Sequence, residues 1–177
     1  MITLFEKLPS SISSVIGTTL HRHPIYNLNL AKVLGRRAAI PIKEPRHEEP
    51  LAPGWIFLAP RDHHMVFMDG RVEVNRGPKE HFTRPAIDPL FLSASATCER
   101  RVIGVLLTGG GSDGVAGLLA IKARGGIVIV QDPKEAKIPI MPRMAVTQDH
   151  VDLVLPLAGI AAVLPRLAKG EAIEKTS

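Results

Sequence analysis

Residues 101–131, RVIGVLLTGGGSDGVAGLLAIKARGGIVIVQ, decide the fold class. RVIGVLL (101–107) is continuously apolar and rich in β-branched residues, as a strand buried on both faces must be. TGGGSDG (108–114) reads as a turn, VAGLLAIKAR (115–124) as a helix closed by Gly125-Gly126, and IVIVQ (127–131) as the next strand. Downstream, VDLVL (151–155) is a third strand and residues 158–168 a last helix. Continuous apolar strands separated by helices imply a parallel sheet covered on both sides, an α/β fold.

The first half extends the same pattern. Residues 2–8 (ITLFEKL) fit the end of an amphipathic helix stopped by Pro9, SVIGTTL (14–20) a short buried strand, and Asn27–Gly35 a short helix with Gly35 just past its end. A loop rich in Pro and charge leads to the strand WIFLA (55–59). HMVFM and RVEV flank Asp69-Gly70, whose residue types suit the positive φ angles of a type I′ hairpin turn. After another loop, Asp88-Pro89 reads as the start of a helix, with Asp as N-cap and Pro at the first helical position. Residues 171–177 read as a frayed tail, leaving one domain over 1–170.

Composition bounds the function. The chain has 177 residues, 45% of them hydrophobic, and a mean hydropathy of +0.14, which excludes a disordered tail, a collagen and a coiled coil. Cys98 is the only cysteine, so neither a disulfide framework nor a CxxC zinc site is available; it reads as a packed mid-helix residue. No apolar run is long enough for a membrane span, and the start has no signal-peptide pattern, so a cytoplasmic domain is expected. The +5 net charge is spread out, the longest basic cluster being Arg36-Arg37, and aromatic residues make up 4% of the chain. That is a poor platform for stacking bases, and nucleic acid is not an expected partner.

In a doubly wound sheet the ligand sits beyond the carboxyl ends of the strands. Three polar clusters fall there: His21-Arg22-His23, Thr108–Gly114 and Gln131-Asp132. The glycine-rich turn admits three readings. As a phosphate loop it has the right context but lacks the Lys-Ser/Thr of a Walker A motif and the G-x-G-x-x-G spacing. As a nucleophile elbow, Gly110–Gly114 satisfies G-x-S-x-G around Ser112, although a tight strand-to-helix turn is missing. In the third, Asp113 is the functional group, an anion stabilised at a helix N-terminus that orients a histidine; as a bland cap of helix 115–124 it would look the same. His21 stands where a general base is needed, and equally where a surface histidine beside a proline turn would stand. His63-His64 could line the same cleft. His47, Glu48 and Glu49 are metal-ligand types, but without HxxE or HxH spacing.

Together the stretches LHRHP (20–24), LAPGWIFLAPRDHHMVF (51–67), RPAIDPLF (84–91), VIGVLLTGGGSDGVAGLLAIKARGG (102–126), VQDP (130–133), MPRMA (141–145) and VDLVLPL (151–157) resemble the catalytic domain of CheB-type protein-glutamate methylesterases, in the family's order. The resemblance implies a Rossmann-like, doubly wound, mostly parallel sheet with a β-hairpin insertion. It also implies a cofactor-free carboxylic ester hydrolase that demethylates glutamates of chemoreceptors and can deamidate their glutamines. The partners implied are the cytoplasmic domains of methylated chemoreceptors and, since no receiver module is recognisable in the sequence, a response-regulator receiver on a separate protein. By motif, His21 aligns with the family's histidine and Asp113 with its acid, making them the expected base and its orienting carboxylate. Gly110 stands where many members carry Met near the oxyanion site, and Ser112 falls at a variable position. The family's nucleophile lies in a G-A-S-x-G-G turn after the first strand, and residues 1–177 contain no such turn. The expectation is a fold lacking its first strand and that serine; the alternative is a non-catalytic module that binds receptors or partners.

Overall fold

The computed structural model describes residues 1–22, 29–148 and 150–172. Along the chain run α1 (Ile2–Lys7), β1 (Ile16–Thr18), α2 (Leu30–Gly35), β2 (Ile42–Lys43), β3 (Glu49–Pro50), β4 (Ile56–Leu58), β5 (His64–Met68) and β6 (Arg71–Asn75). Then follow α3 (Ile87–Cys98), β7 (Ile103–Leu106), α4 (Val115–Ala123), β8 (Ile127–Gln131), α5 (Ile140–Val146), β9 (Leu153–Leu155) and α6 (Leu157–Ala168).

The parallel α/β pattern is present, in two halves. One three-stranded parallel sheet has the order β1-β4-β2 and the other β7-β8-β9. Among the described residues no ladder joins β1 to β7, where a single sheet was expected. Side chains on both halves alternate between two cores, the period-2 signature of strands buried on both faces. Ile56 and Leu58 of β4 and Ile129 of β8 share one core with Phe5 and Leu8 around α1 and Ile160 of α6. Their neighbours point the other way: Val128 and Val130 pack with Leu118, Ile121 and Met141 of α4 and α5, and Phe57 packs under α3 with Met65, Phe67 and Leu90. Each such fully buried aliphatic side chain stabilises the fold by roughly 1.5–3 kcal/mol.

The inserted hairpin is as expected. β5 pairs antiparallel with β6 from His64↔Asn75 to Met68↔Arg71, and Asp69 and Gly70 take φ of 49° and 74°, as a type I′ turn requires. Three local readings need correction. Gly35 is the last residue of α2, not a left-handed residue past its end; the cap, Arg36, is still right-handed. Helix α3 begins at Ile87 with Ala86 as N-cap, so Asp88 and Pro89 lie inside the first turn. Proline is tolerated there because first-turn N–H groups have no partner within the helix. Cys98, half-buried, ends this helix instead of lying mid-helix. Part of the expected 27–35 helix, His23 and residues 173–177 of the expected tail lie outside the described residues.

Candidate active site

His21 is placed by the end of β1. Ala59 N donates to Thr18 O at 2.9 Å, continuing the β1–β4 pairing past the strand. The next residue, Arg22, donates to Ala59 O at 2.6 Å and to Glu44 Oε1 at 2.8 Å, which ties the segment to the ends of β4 and β2. These bonds anchor the residue next to His21.

Asp113 reaches the same place from the turn after β7, 92 residues away in sequence. Gly114, at φ 92°, makes the reversal into α4, and a Cβ there would press on Ile87 and Leu106 at 2.8 Å, so only glycine fits. Asp113 is 1% exposed and does not cap α4. Its carboxylate caps α3 instead: Ile87 N donates to Oδ2 at 2.7 Å and Asp88 N to Oδ1 at 2.9 Å. His21 Nε2 completes the shell at 2.5 Å from Oδ2. Burial pushes this carboxyl up, but the hydrogen bonds from His21, Ile87 and Asp88 outweigh it and hold it below the ordinary carboxylate range. The cap of helix 115–124 that the sequence offered as the alternative is not formed; Asp113 caps α3 and holds His21 at the same time. With Nε2–H donated to Asp113, Nδ1 is the nitrogen that carries the lone pair.

His21 stands at one end of a cavity of about 470 Å³ between the two sheets. Ile16, Gly17 and Thr18 of β1 line one side, and Ile103, Val105 and Leu106 of β7 the other. Thr108, Gly109 and Gly110 also line it. The His21–Asp113 bond shows that the carboxyl ends of β1 and β7 lie at the same end of the molecule, so the two edges run in the same direction. The turn at 108–110 is braced from β8 and the segment before α5: Thr108 N donates to Gln131 Oε1 at 2.9 Å and Gly109 N to Ile138 O at 2.9 Å.

The other candidates have structural tasks. Ser112 closes the turn by accepting Val115 N at 3.1 Å through its carbonyl. His64 is buried, donating from Nε2 to Pro78 O and accepting Ala86 N at Nδ1. His63 donates to Arg61 O. His47 accepts Val74 N beside the small sheet β3-β6-β5, and among the described residues it forms no metal-type cluster with Glu48 and Glu49. The cluster that does form is His81, Asp88 and Asp113, with one ligand-type atom from each within 4.8 Å of the others. Its carboxylates are already occupied: Asp88 Oδ1 accepts Gly117 N at 2.7 Å and Oδ2 accepts His81 Nε2 at 2.9 Å. His81 and the bracing role of Asp88 escape a local reading, because Asp88-Pro89 has the residue types of a cap.

The model of the CheB methylesterase family matches residues 1–164. The chain belongs to the CheB methylesterase family. A putative protein-glutamate methylesterase/protein-glutamine glutaminase of Leptospira interrogans is 37% identical over 168 residues, covering 94% of this chain and 87% of that one. The corresponding protein of Pyrococcus abyssi is 35% identical over 170 residues, and this chain spans only 46% of its length. The crystal structure of the Thermotoga maritima CheB methylesterase catalytic domain superposes with a TM-score of 0.88 at 29% identity, covering 94% of this chain and 90% of that one. The expected resemblance and fold class are thus confirmed. The relatives are named as protein-glutamate methylesterases, a class of carboxylic ester hydrolases, so membership of the CheB family makes this an enzyme-family domain.

Proposed function

We propose that this chain is the base-and-acid part of a protein-glutamate methylesterase that demethylates chemoreceptors in bacterial chemotaxis signalling, with glutamine deamidation as a companion reaction. The observation that carries the reading is the His21–Asp113 hydrogen bond at the mouth of the slot between β1 and β7. In the proposed reaction His21 Nδ1 takes the proton of a serine hydroxyl as the oxygen attacks the γ-ester carbonyl. The imidazolium, stabilised by the Asp113 anion, then protonates the departing methoxide to methanol. Water, activated by the same nitrogen, hydrolyses the acyl-serine to glutamate. These steps use side chains and water alone.

Two edges running in the same direction and flanking an apolar slot support a serine carried on an extended parallel strand seated between them, its turn ending beside His21. Adjacent strands sit about 4.8 Å apart, and an inserted strand would pair with both free edges at once. The expected partners are methylated chemoreceptor cytoplasmic domains and a separate receiver protein. The expected setting is the cytoplasm; among the described residues no helix is long and apolar enough to cross a membrane.

The test is methanol release from a methylated receptor fragment by the 177-residue chain, with and without a synthetic apolar peptide ending in G-A-S-x-G-G. Release is expected only with the peptide, and it should vanish with its Ser→Ala version or with His21→Ala. A serine-bearing peptide that binds and yields no methanol would remove the catalytic reading in favour of a non-catalytic receptor-binding module. Release that is independent of the peptide and lost in Ser112→Ala would move the nucleophile to Ser112.

A further inference from the structure

We propose that the reverse turn at His81-Phe82 is a docking knob for the protein substrate, with Phe82 as its anchor. Phe82 is 97% exposed, whereas the next most exposed large apolar residue among those described, Ile140, is at 54%. Scattered half-exposed apolar residues are ordinary, but a fully exposed phenylalanine on an ordered turn is not.

The backbone beneath it is strained. His81 and Phe82 take φ of 49° and 63°, two consecutive non-glycine residues in the left-handed region. The surroundings hold that conformation in place. Glu80 and Thr83 exchange two backbone hydrogen bonds at 3.1 and 2.9 Å, and Thr83 Oγ1 donates to Pro85 O at 3.0 Å. Arg84 grips Asp62 Oδ1 through Nε and a terminal nitrogen at 3.0 and 2.8 Å and donates to Gly77 O at 2.7 Å. Buried His64 holds both ends of the segment, Pro78 O at 2.8 Å and Ala86 N at 3.3 Å. Strain so thoroughly over-determined is characteristic of ligand clamps and binding sites.

The knob also belongs to the same hydrogen-bonded unit as the site. His81 donates to Asp88 Oδ2, and the His81 nitrogen lies within 4.8 Å of a carboxylate oxygen of Asp113, the partner of His21. The turn therefore lies beside the His21–Asp113 pair, where a macromolecular substrate would extend past its ester, while a free amino-acid ester need not reach it. An apolar anchor of this size calls for an apolar recess on the partner surface beside the ester. The inference rests on the reading that the substrate ester is borne by a protein.

The test is equilibrium binding of the 177-residue chain to a recombinant, methylated chemoreceptor cytoplasmic fragment, with Phe82→Asn, Phe82→Leu and the control Leu92→Ala, another exposed apolar residue. Asparagine tolerates the left-handed conformation, so Phe82→Asn should keep or raise the melting temperature while weakening binding tenfold or more. Phe82→Leu should retain most of the affinity, and Leu92→Ala all of it. A merely structural role for Phe82 would instead couple affinity to stability. Unchanged affinity in Phe82→Asn overturns the proposal, and so does a wild-type chain that does not bind the fragment. Methanol release is read separately, with the G-A-S-x-G-G peptide present: binding that depends on Phe82 without release then sinks the esterase reading and leaves the knob standing.

Discussion

Among the described residues two imidazole–carboxylate pairs are built alike, His21–Asp113 and His81–Asp88, each joining a part-exposed ring to a nearly buried carboxylate. They even share a linkage, since the Asp88 backbone N–H donates to Asp113. What differs is the rest of each shell. Asp113 gathers two amides at the start of α3 and holds a ring on the segment that follows β1, beside the slot. Asp88 takes the amide of Gly117 within α4 and holds a ring on a flanking turn. Gly117 permits this close approach, because a Cβ there would meet Asp88 Oδ1 at 3.1 Å as well as the Phe91 side chain. A histidine–carboxylate bond does not by itself make a base; what the second ring nitrogen faces does.

The largest effect that could break this contrast is that of Asp113→Ala. It leaves two helix-start amides, one buried and one part-buried, and a histidine without their acceptor, and we expect a stability loss of about 3 kcal/mol in urea unfolding. Methanol release in the reconstituted assay should fall to background. Asp113→Asn, which keeps the volume but disturbs the tautomer, should lose roughly 10³–10⁴-fold in rate with a smaller stability loss. His21→Ala should match that rate loss with a stability change of about 1 kcal/mol or less, since its ring is partly exposed. If His81→Ala abolishes release as completely as His21→Ala, the two pairs are not functionally distinct.

Much of this contrast could be read from the chain, and the part that could not has a physical cause. The hairpin was legible because Asp69-Gly70 supplies the required backbone freedom locally, and β7, α4 and β8 because their periodicity is long and uninterrupted. Strands β2 and β3 have two residues each and exist only by pairing with β4 and β6. Helix α5, with Pro142 inside its seven residues, carries little local signal. The division into two sheets carries no local signal, because a strand edge is defined by what lies next to it; only the expected lack of a first strand pointed to it. His21 and Asp113 could be named as candidates, but their meeting across 92 residues is a tertiary fact. Asp88 shows the converse error: local chemistry made it a cap, while the fold gave capping to Asp113 and turned Asp88 toward α4.

A smaller effect sharpens the difference. Asp88→Ala should cost about 2 kcal/mol, because the Gly117 amide and His81 lose their acceptor at the closely packed α3–α4 contact. The dyad retains its own hydrogen bonds, so methanol release should fall by less than about tenfold. A rate loss as large as that of Asp113→Asn would mean that the linkage through the Asp88 amide transmits the damage and that both pairs work as a unit.

The smallest expected effect is a shift in acid stability. The Asp113 carboxyl is held below its ordinary value, so the stabilisation from its ionised form is complete above the unfolded carboxylate range, about pH 4, and is lost as pH falls through the lower folded value. His21 is the strongest of the hydrogen-bond donors that keep it low. Removing that ring in His21→Ala should therefore let the carboxyl rise, and acid unfolding should begin at a higher pH than in the wild type. His81→Ala leaves every donor to Asp113 in place and should not move the onset through this group, while Asp113→Asn should flatten the dependence. Equal displacement of the acid-unfolding onset by His21→Ala and His81→Ala, followed by circular dichroism between about pH 2 and 6, would show that the two imidazoles support one shared charge and not two separate ones.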